Sequence, residues 1–229
     1  MKRAKPTRTH TAAATGSAIA RGDADDCPHG PGRPRCPHAK LAILEAALAL
    51  LRDDGFWEMS IEAIAERAGV SKATVYRWWP NKASLVVDAF FAAISPRIPF
   101  PDTGSAREDF AAQMERVAKE MRGPTGAMLA QLVTATQCDP SMRAAFRERW
   151  LRPRRAEGTD AVRRGIARGE LPEDLDIEFL FDALYGPLYL RLLFEHQPIS
   201  TAFVRDLVTT VFGGLTQRSP RASRGKRSA

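Results

Sequence analysis

The sequence lacks the residue patterns by which enzymes most often hold phosphates or metals. It contains no glycine-rich phosphate loop and no His-Glu-x-x-His pair, and no nucleophile is spaced to meet a general base. Its 229 residues include four histidines, at positions 10, 29, 38 and 196. These absences argue against the alternative of an enzyme built on a helical bundle, and we expect no catalytic residues, no bound metal and no cofactor.

Long apolar runs and cysteines are also scarce. No stretch of 18 consecutive apolar residues occurs, so no membrane span is predicted. The basic start of the chain, with its TAAATGSAIA stretch, is too polar for the apolar core of a signal peptide. The three cysteines fit no disulfide framework. Together these features predict a cytoplasmic protein.

The positive charge is concentrated at the two ends of the chain. Residues 1–40 contain eight basic and three acidic residues, and residues 217–229 contain five basic and no acidic residues. The body between them is slightly acidic, although the whole chain has a formal charge of +7. We predict a disordered basic arm over residues 1–38 and a disordered basic tail over residues 217–229. Such segments attract polyanions non-specifically, and the alternative is that they only keep the protein soluble.

Apolar residues recur at three- and four-residue spacing along the body of the chain. Leu41, Leu44, Leu48 and Leu51 form such a stripe, and period-two alternation is almost absent. We therefore predict an all-α fold, with one unit over residues 39–90 and a second over residues 91–216. In the second unit, helices are expected over residues 105–122, 124–138, 140–168, 176–196 and 199–215, with an interruption or bend at Pro153.

A helix-turn-helix pattern lies within the first unit. Ser60 is a favourable N-cap for a short helix that ends near Gly69, and Ser71 can cap a second helix predicted over residues 72–79. On a helical wheel, the apolar side of the second helix consists of Val75, Trp78 and Trp79. The polar side consists of Lys72, Ala73, Tyr76 and Arg77, with Thr74 at the border. The wheel predicts Trp79 as a core anchor and the polar side as a binding surface.

Two lysines occupy the first positions of successive helices, where a cation opposes the helix dipole. Lys72 follows Ser71, and Lys82 follows Asn81. Because free N–H groups at helix N-termini bind phosphates, a nucleic-acid backbone lying across both caps would turn both lysines into contacts. The alternative is that they are two ordinary exposed lysines.

The stretch LAILEAALALLRDDGFWEMSIEAIAERAGVSKATVYRWWPNKASLVVDAF, from Leu41 to Phe90, resembles the DNA-binding domain of the tetracycline-repressor (TetR) family of bacterial regulators. The shared features are the serine cap, the IA..AGVS..T.Y..W core and the NK..L start of the next helix. The lead-in GRPR is also common before this domain. The resemblance implies a homodimer that binds a pseudo-palindromic double-stranded DNA operator, an N-terminal helix-turn-helix domain, and a C-terminal helical domain for dimerisation and a small-molecule effector.

The resemblance also implies roles for individual residues. The base-facing positions are Lys72, Ala73 and Arg77, and the phosphate-facing positions are Ser60, Thr74, Tyr76 and Lys82. An arginine such as Arg77 can fork onto guanine O6 and N7, and Ala73 can touch a thymine methyl. Trp78 departs from the histidine or tyrosine often found at its position, so its contact role stays open. Arg33 and Arg35 are placed to reach a minor groove, as basic arms do.

The C-terminal half, which includes RGELPEDLDIEFLFDALYGPLYLRLL, resembles the C-terminal domain of one large subgroup of the family. We expect an effector pocket lined by Met114, Met121, Met128, Phe146, Trp150, Phe181 and Tyr185, because methionine and aromatic residues form adaptable apolar walls. We expect a four-helix dimer interface formed by Leu184, Leu188, Leu192, Val204, Leu207, Val208, Val211 and Phe212. The alternative is that these apolar stripes are buried within one chain. A dense arginine cluster over residues 143–155 favours either an anionic ligand or a solvated helix face.

A repeated Cys-Pro-His triplet in the N-terminal arm is the one pattern that suggests a metal. Cys27 and His29 recur nine residues later as Cys36 and His38. Two cysteines and two histidines can ligate zinc, although the Cys-x-His spacing is shorter than in structural zinc sites. Two alternatives to the regulator therefore remain: a non-specific nucleic-acid-binding protein driven by the basic tails, and a metal or redox sensor that uses this segment.

Overall fold

The structure is a computed structural model that describes residues 37–216. The predicted basic tail, Arg33 and Arg35 of the basic arm, and Cys27, His29 and Cys36 of the possible zinc site lie outside the described residues. The first helix begins at Pro37, so residues 37 and 38 of the predicted arm are helical, and the bounds of the arm stay a prediction.

The described residues form an all-α fold without any strand, which confirms the predicted fold class. The first helices are α1 (Pro37–Asp53), α2 (Ile61–Arg67), α3 (Lys72–Tyr76) and α4 (Lys82–Ile94), followed by a 3-10 turn over Ser95–Arg97. The later helices are α5 (Ala106–Met121), α6 (Pro124–Cys138), α7 (Pro140–Phe146), α8 (Arg152–Ala167), α9 (Ile177–Phe194) and α10 (Thr201–Thr216). None of the helices over residues 37–216 is long and apolar enough to cross a membrane.

Local capping explains where the first helices begin and turn. The side chains of Ser60, Ser71 and Asn81 each accept a hydrogen bond from a backbone N–H three residues later. Gly69 has a φ of +66°, the left-handed conformation that the tight turn between α2 and α3 requires. Helix α3 ends at Tyr76 rather than at the predicted Trp79, and Trp79 follows in the turn toward α4.

The long helix predicted over residues 140–168 is divided by a π-helical turn. Helix α7 ends at Phe146, the π-helical turn spans Arg147–Leu151, and α8 starts at Arg152. Pro153 has no N–H to continue the α-helical hydrogen bonds and its ring clashes with the preceding turn, so a local widening is the expected response. The prediction of an interruption near Pro153 is confirmed.

Helix α4 connects the helix-turn-helix to the rest of the fold. It packs against α1 on one side and against α7 and the π-helical turn on the other. Its buried residues include Leu85, Val86 and Phe90, which belong to the core. A displacement of α7 or the π-helical turn is therefore felt directly by the helix that follows the helix-turn-helix.

Candidate DNA-recognition surface and effector cavity

Helix α3 presents a polar face to solvent and an apolar face to the core. Val75 and Trp79 are buried, with 0% and 1% exposure, which is what the helical wheel predicts. Lys72, Ala73, Tyr76 and Arg77 are exposed on the other face, with Tyr76 at 51%. A short helix anchored by its buried side can offer this exposed face to a DNA groove.

Lys72 already has an anionic partner within the chain. Its Nζ atom donates a hydrogen bond of 2.6 Å to Oε1 of Glu62, in the first turn of α2, and both side chains are more than half exposed. The hydrogen bond from Lys72 lowers the pKa of Glu62, and the same bond raises the pKa of Lys72. Sequence reasoning missed this pair, which weakens the inference that the lysine needs a phosphate.

Lys82 is held even more closely by its own chain. Its Nζ atom donates to the backbone oxygens of Phe56 at 2.7 Å and Met59 at 2.9 Å, and lies 4.5 Å from the centre of the Phe56 ring. Partial burial lowers the pKa of Lys82. The ammonium therefore stabilises the turn between α1 and α2 by hydrogen bonds to its backbone. The contact of Lys82 with a phosphate stays a prediction.

Ser60 and Thr74 contribute to helix caps. The Ser60 hydroxyl accepts from the backbone N–H of Ala63. The hydroxyl groups of Ser71 and Thr74 lie 3.0 Å apart, and Ser71 also accepts from the Thr74 backbone N–H. Both predicted phosphate contacts therefore lie at helix N-termini, where backbone N–H groups collect.

Trp78 lies between the two faces of the segment. It is partly buried, its ring centre is 6.1 Å from that of Trp79, and the ammonium of Lys40 lies 5.3 Å from its ring. These contacts fix the ring against the N-terminal half of the fold. Its predicted contact with DNA stays a prediction.

The C-terminal half contains a cavity of about 550 Å³. Its walls are mostly apolar side chains from α4 to α9, and they include Phe90, Ile94, Phe100, Val117, Leu129 and Val133. The volume and the apolar lining with few polar groups are typical of a small-molecule site.

Five of the seven predicted pocket residues line this cavity: Met121, Phe146, Trp150, Phe181 and Tyr185. Met114 and Met128 do not line this cavity, and their contact with an effector stays a prediction. Both are buried in the apolar core, with 0% and 7% exposure. Helical periodicity selects buried methionines without distinguishing a cavity wall from a packed interior.

The cavity contains two hydrogen-bonded pairs that apolar periodicity did not identify. The Tyr185 hydroxyl donates to Oε1 of Gln113 at 2.5 Å, and Nε1 of Trp150 donates to the Tyr189 hydroxyl at 3.2 Å. Burial raises the pKa of both tyrosine hydroxyls, so they are neutral at physiological pH. The interior therefore offers neutral polar groups among apolar walls.

The arginine cluster divides between the cavity and surface ion pairs. Arg143, Arg147, Arg154 and Arg155 line the cavity, whereas Arg152 pairs with Glu148 on the surface. Arg154 has 11% side-chain exposure, and its guanidinium binds Glu157 and the backbone oxygen of Ile98. Arg155 pairs with Glu178 and Asp182. The cluster thus divides between the cavity lining and surface ion pairs, and its contact with an anionic ligand stays a prediction.

A chain of contacts joins the cavity wall to the end of the recognition segment. The Oδ2 atom of Asp88, in α4, accepts a hydrogen bond from Nε1 of Trp79 at 2.8 Å and from Nη1 of Arg149 at 2.5 Å. Arg149 precedes Trp150 in the π-helical turn, and the Trp150 ring lies 5.0 Å from that of Phe90. One carboxylate thus contacts the segment after α3 and the turn that lines the cavity.

Most of the predicted dimer residues face the interior of the chain. Leu184, Leu188, Leu192, Val204, Val208 and Phe212 are buried, with exposures of 8% or less, and Leu207 and Val211 are partly buried. The six buried residues belong to the apolar core of the single chain, as in the alternative that these stripes are buried within one chain, and their contact with a second subunit stays a prediction. The opposite side of α9 instead exposes Phe179, Leu190, Leu193 and Phe194.

Metal ions in proteins are most often held by several histidine, cysteine or carboxylate side chains that lie close together. No cluster of three or more histidine, cysteine or carboxylate side chains is found over residues 37–216. His38, the described member of the possible zinc site, lies in the first turn of α1.

The fold, the exposed face of α3 and the cavity are those of a helix-turn-helix DNA-binding regulator with further helices that follow the helix-turn-helix. Residues 43–89 match the family described as bacterial regulatory proteins, tetR family, and residues 100–211 match the tetracyclin repressor-like C-terminal domain. The chain is 40% identical over 188 residues to the uncharacterised HTH-type transcriptional regulator YdeS of Bacillus subtilis, covering 82% of this chain and 95% of that protein.

Two further relatives agree with this assignment. The DNA-binding transcriptional repressor TetR of Mycobacteroides abscessus is 30% identical over 173 residues, covering 74% of this chain and 90% of that protein. The crystal structure of the TetR family transcription regulator SCO0332 superposes with a TM-score of 0.70 at 36% identity, covering 77% of this chain and 98% of that chain. The protein belongs to the TetR family of transcriptional regulators.

Proposed function

We propose that the protein is a cytoplasmic, non-enzymatic repressor that binds a pseudo-palindromic operator as a homodimer and is released by a small-molecule effector. The exposed polar face of α3 is the observation that carries this proposal, because Lys72, Ala73, Tyr76 and Arg77 are free of the core that fixes Val75 and Trp79. Similarity to the DNA-binding transcriptional repressor TetR of Mycobacteroides abscessus supports repression rather than activation.

Within this surface, some residues are suited to contact the bases and others to contact the phosphates that orient the helix. Arg77 is exposed and can form a bidentate contact with guanine, and Ala73 leaves room for a thymine methyl. Tyr76 and the helix caps at Ser60 and Thr74 are suited to phosphate contacts that set the orientation of the helix. Lys72 reaches the groove only together with Glu62, or after the ion pair opens.

Release by an effector requires a connection between the cavity and α3. The contacts from Trp150 to Phe90, and from Arg149 through Asp88 to Trp79, supply one. An effector that moves the π-helical turn would shift α4 and hence the separation of the two recognition helices of a dimer. Only a separation of about 34–36 Å fits successive major grooves, so a small shift lowers operator affinity.

The exposed apolar stripe of α9 is the surface that we propose for dimerisation. Phe179, Leu190, Leu193 and Phe194 are 41–71% exposed, and Ala183 and Pro187 lie partly buried along the same stripe. A two-fold operator requires a second copy of the chain, and pairing of this stripe with itself would bury it. Leu190→Asp should therefore produce monomers in analytical ultracentrifugation. Leu41→Asp, at a leucine of similar exposure on α1, should leave the dimer intact.

Selection of genomic fragments by the full-length protein at moderate salt tests the function. We expect the retained fragments to share a palindrome whose half-sites are about one helical turn apart. Fragments without a common site, whose binding disappears when residues 1–36 and 217–229 are removed, would instead support non-specific binding by the basic tails.

A further inference from the structure

The cavity offers hydrogen-bond donors that nothing in the described part of the chain accepts. The Tyr189 hydroxyl receives a hydrogen bond from Trp150, and its own hydrogen has no acceptor over residues 37–216. The Gln113 side chain is 1% exposed and uses one of its two N–H bonds, in a long contact of 3.4 Å with the Ile98 oxygen. Each buried donor left without an acceptor is costly, so a bound molecule that supplies acceptors is stabilised.

The amide oxygen of Gln113 and the two carboxylates of the lining, by contrast, each already accept a hydrogen bond from the chain. Oε1 of Gln113 accepts from Tyr185, and the Glu120 carboxylate accepts from Thr125 and Arg97. The Asp182 carboxylate is paired with Arg155. A ligand cation would find no buried carboxylate without a partner in the described lining.

The charge of the lining residues also disfavours a cationic ligand. Four arginines line the cavity, against the two carboxylates of Glu120 and Asp182. Arg147 has 69% side-chain exposure and a single ion pair, a contact of 3.4 Å with Glu148, so most of its donors remain available. Three of these arginines pair with carboxylates outside the lining: Arg147 with Glu148, Arg154 with Glu157 and Arg155 with Glu178. Within the lining itself the formal charge is positive, and it offers a cation no carboxylate without a partner.

We propose that the cavity binds an apolar molecule that carries a carbonyl-type oxygen acceptor and no cationic group, and that Tyr189 is the residue that recognises the oxygen. The Tyr189 O–H donates to the oxygen, and the apolar body lies against the ring of Phe90 and the side chains of Ile94 and Val117. The inference rests on the proposed function only in taking the cavity as the effector site.

Fluorescent probes of different chemistry test this proposal on the full-length protein. The first probe is 6-propionyl-2-(dimethylamino)naphthalene, an uncharged ketone whose emission shifts to longer wavelength when its carbonyl accepts a hydrogen bond. The second is N-phenyl-1-naphthylamine, which has a naphthalene body without a carbonyl, and the third is the cation ethidium. We expect the wild-type protein to bind the ketone and to bind ethidium at least tenfold more weakly.

Tyr189→Phe keeps the ring and removes the donor. It should weaken ketone binding about two- to tenfold, the range that corresponds to one neutral hydrogen bond, and shift the bound emission to shorter wavelength. The affinity for N-phenyl-1-naphthylamine should stay unchanged. Equal weakening of both probes would mean a general loosening around Trp150 and would overturn the role of Tyr189 in recognising the oxygen.

The proposal is overturned if ethidium binds as tightly as the ketone, if neither naphthalene probe binds, or if Tyr189→Phe leaves the affinity and emission of the ketone unchanged. No DNA enters this measurement, so its result is separate from that of the operator selection. A protein that selects an operator but fails the probe test would retain its proposed function and lose the proposed ligand class.

Discussion

Asp88→Asn tests the connection between the cavity wall and the recognition segment. The carboxylate accepts hydrogen bonds from Trp79 Nε1 and Arg149 Nη1 on the same oxygen. A hydrogen bond to a charged group contributes about 1.5–3 kcal/mol net. Solvent reduces this value here, because the side chains of Arg149 and Asp88 are 36% and 30% exposed. Asparagine retains one acceptor oxygen and loses the charge, so we expect a loss of about 1–2 kcal/mol in the free energy of unfolding.

Urea unfolding at a fixed protein concentration measures this loss, with Glu66→Gln as a matched change at an exposed carboxylate of α2. The double variant of Asp88→Asn with Arg149→Gln should lose less than the sum of the single variants, by about 0.5 kcal/mol or more. Additive effects within about 0.3 kcal/mol would mean that the two residues do not act through one contact, and the proposed connection would be refuted.

Three further substitutions test the sites separately. In Gly158→Ala, the new Cβ would lie 2.5 Å from Phe181 Cε1, so the ring should be pushed toward the cavity. We expect weaker ketone binding and a loss of about 1–3 kcal/mol in the free energy of unfolding. Unchanged affinity for the ketone would contradict this. Lys82→Gln should lower the free energy of unfolding by about 1–3 kcal/mol, because the ammonium bridges two backbone oxygens. Urea unfolding measures this loss. A loss of DNA affinity without a loss of stability would indicate a phosphate contact alone. Glu62→Gln should free Lys72 for phosphates, so non-specific DNA binding should rise and its log–log salt slope should steepen by about 0.9 for each subunit bound. An unchanged slope would show that the ion pair does not restrain the lysine.

The sequence was sufficient for the helices and the orientation of α3. Caps at Ser60, Ser71 and Asn81 and the turn at Gly69 are local signals, and they mark where the helices start and stop. The helical wheel predicts Trp79 as a core residue because the apolar side of a short helix is defined by a few neighbouring residues in the sequence. Pro153 predicts the interruption at the π-helical turn because a proline changes the backbone hydrogen bonds of its own helical turn.

Contacts between distant residues could not be predicted in this way. The pair of Lys72 with Glu62 joins two helices, and the pairing of Gln113 with Tyr185 joins residues 72 positions apart. Helix α9 is apolar on nearly all sides, so periodicity could not tell which face meets the core and which is exposed. Because of that ambiguity, apolar periodicity alone predicts a dimer surface at Leu184, a residue that the structure buries in the single chain.

The most direct test of the central claim is the affinity of the full-length protein for its selected palindrome and for a scrambled duplex, measured for wild type, Arg77→Ala and Arg67→Ala. Arg67 is an exposed arginine of α2 that pairs with Asp53, and it serves as the matched control. The account predicts that Arg77→Ala loses about tenfold or more of the preference for the palindrome, whereas Arg67→Ala keeps it. Equal preference in wild type and Arg77→Ala would contradict the assignment of α3 as the element that reads DNA.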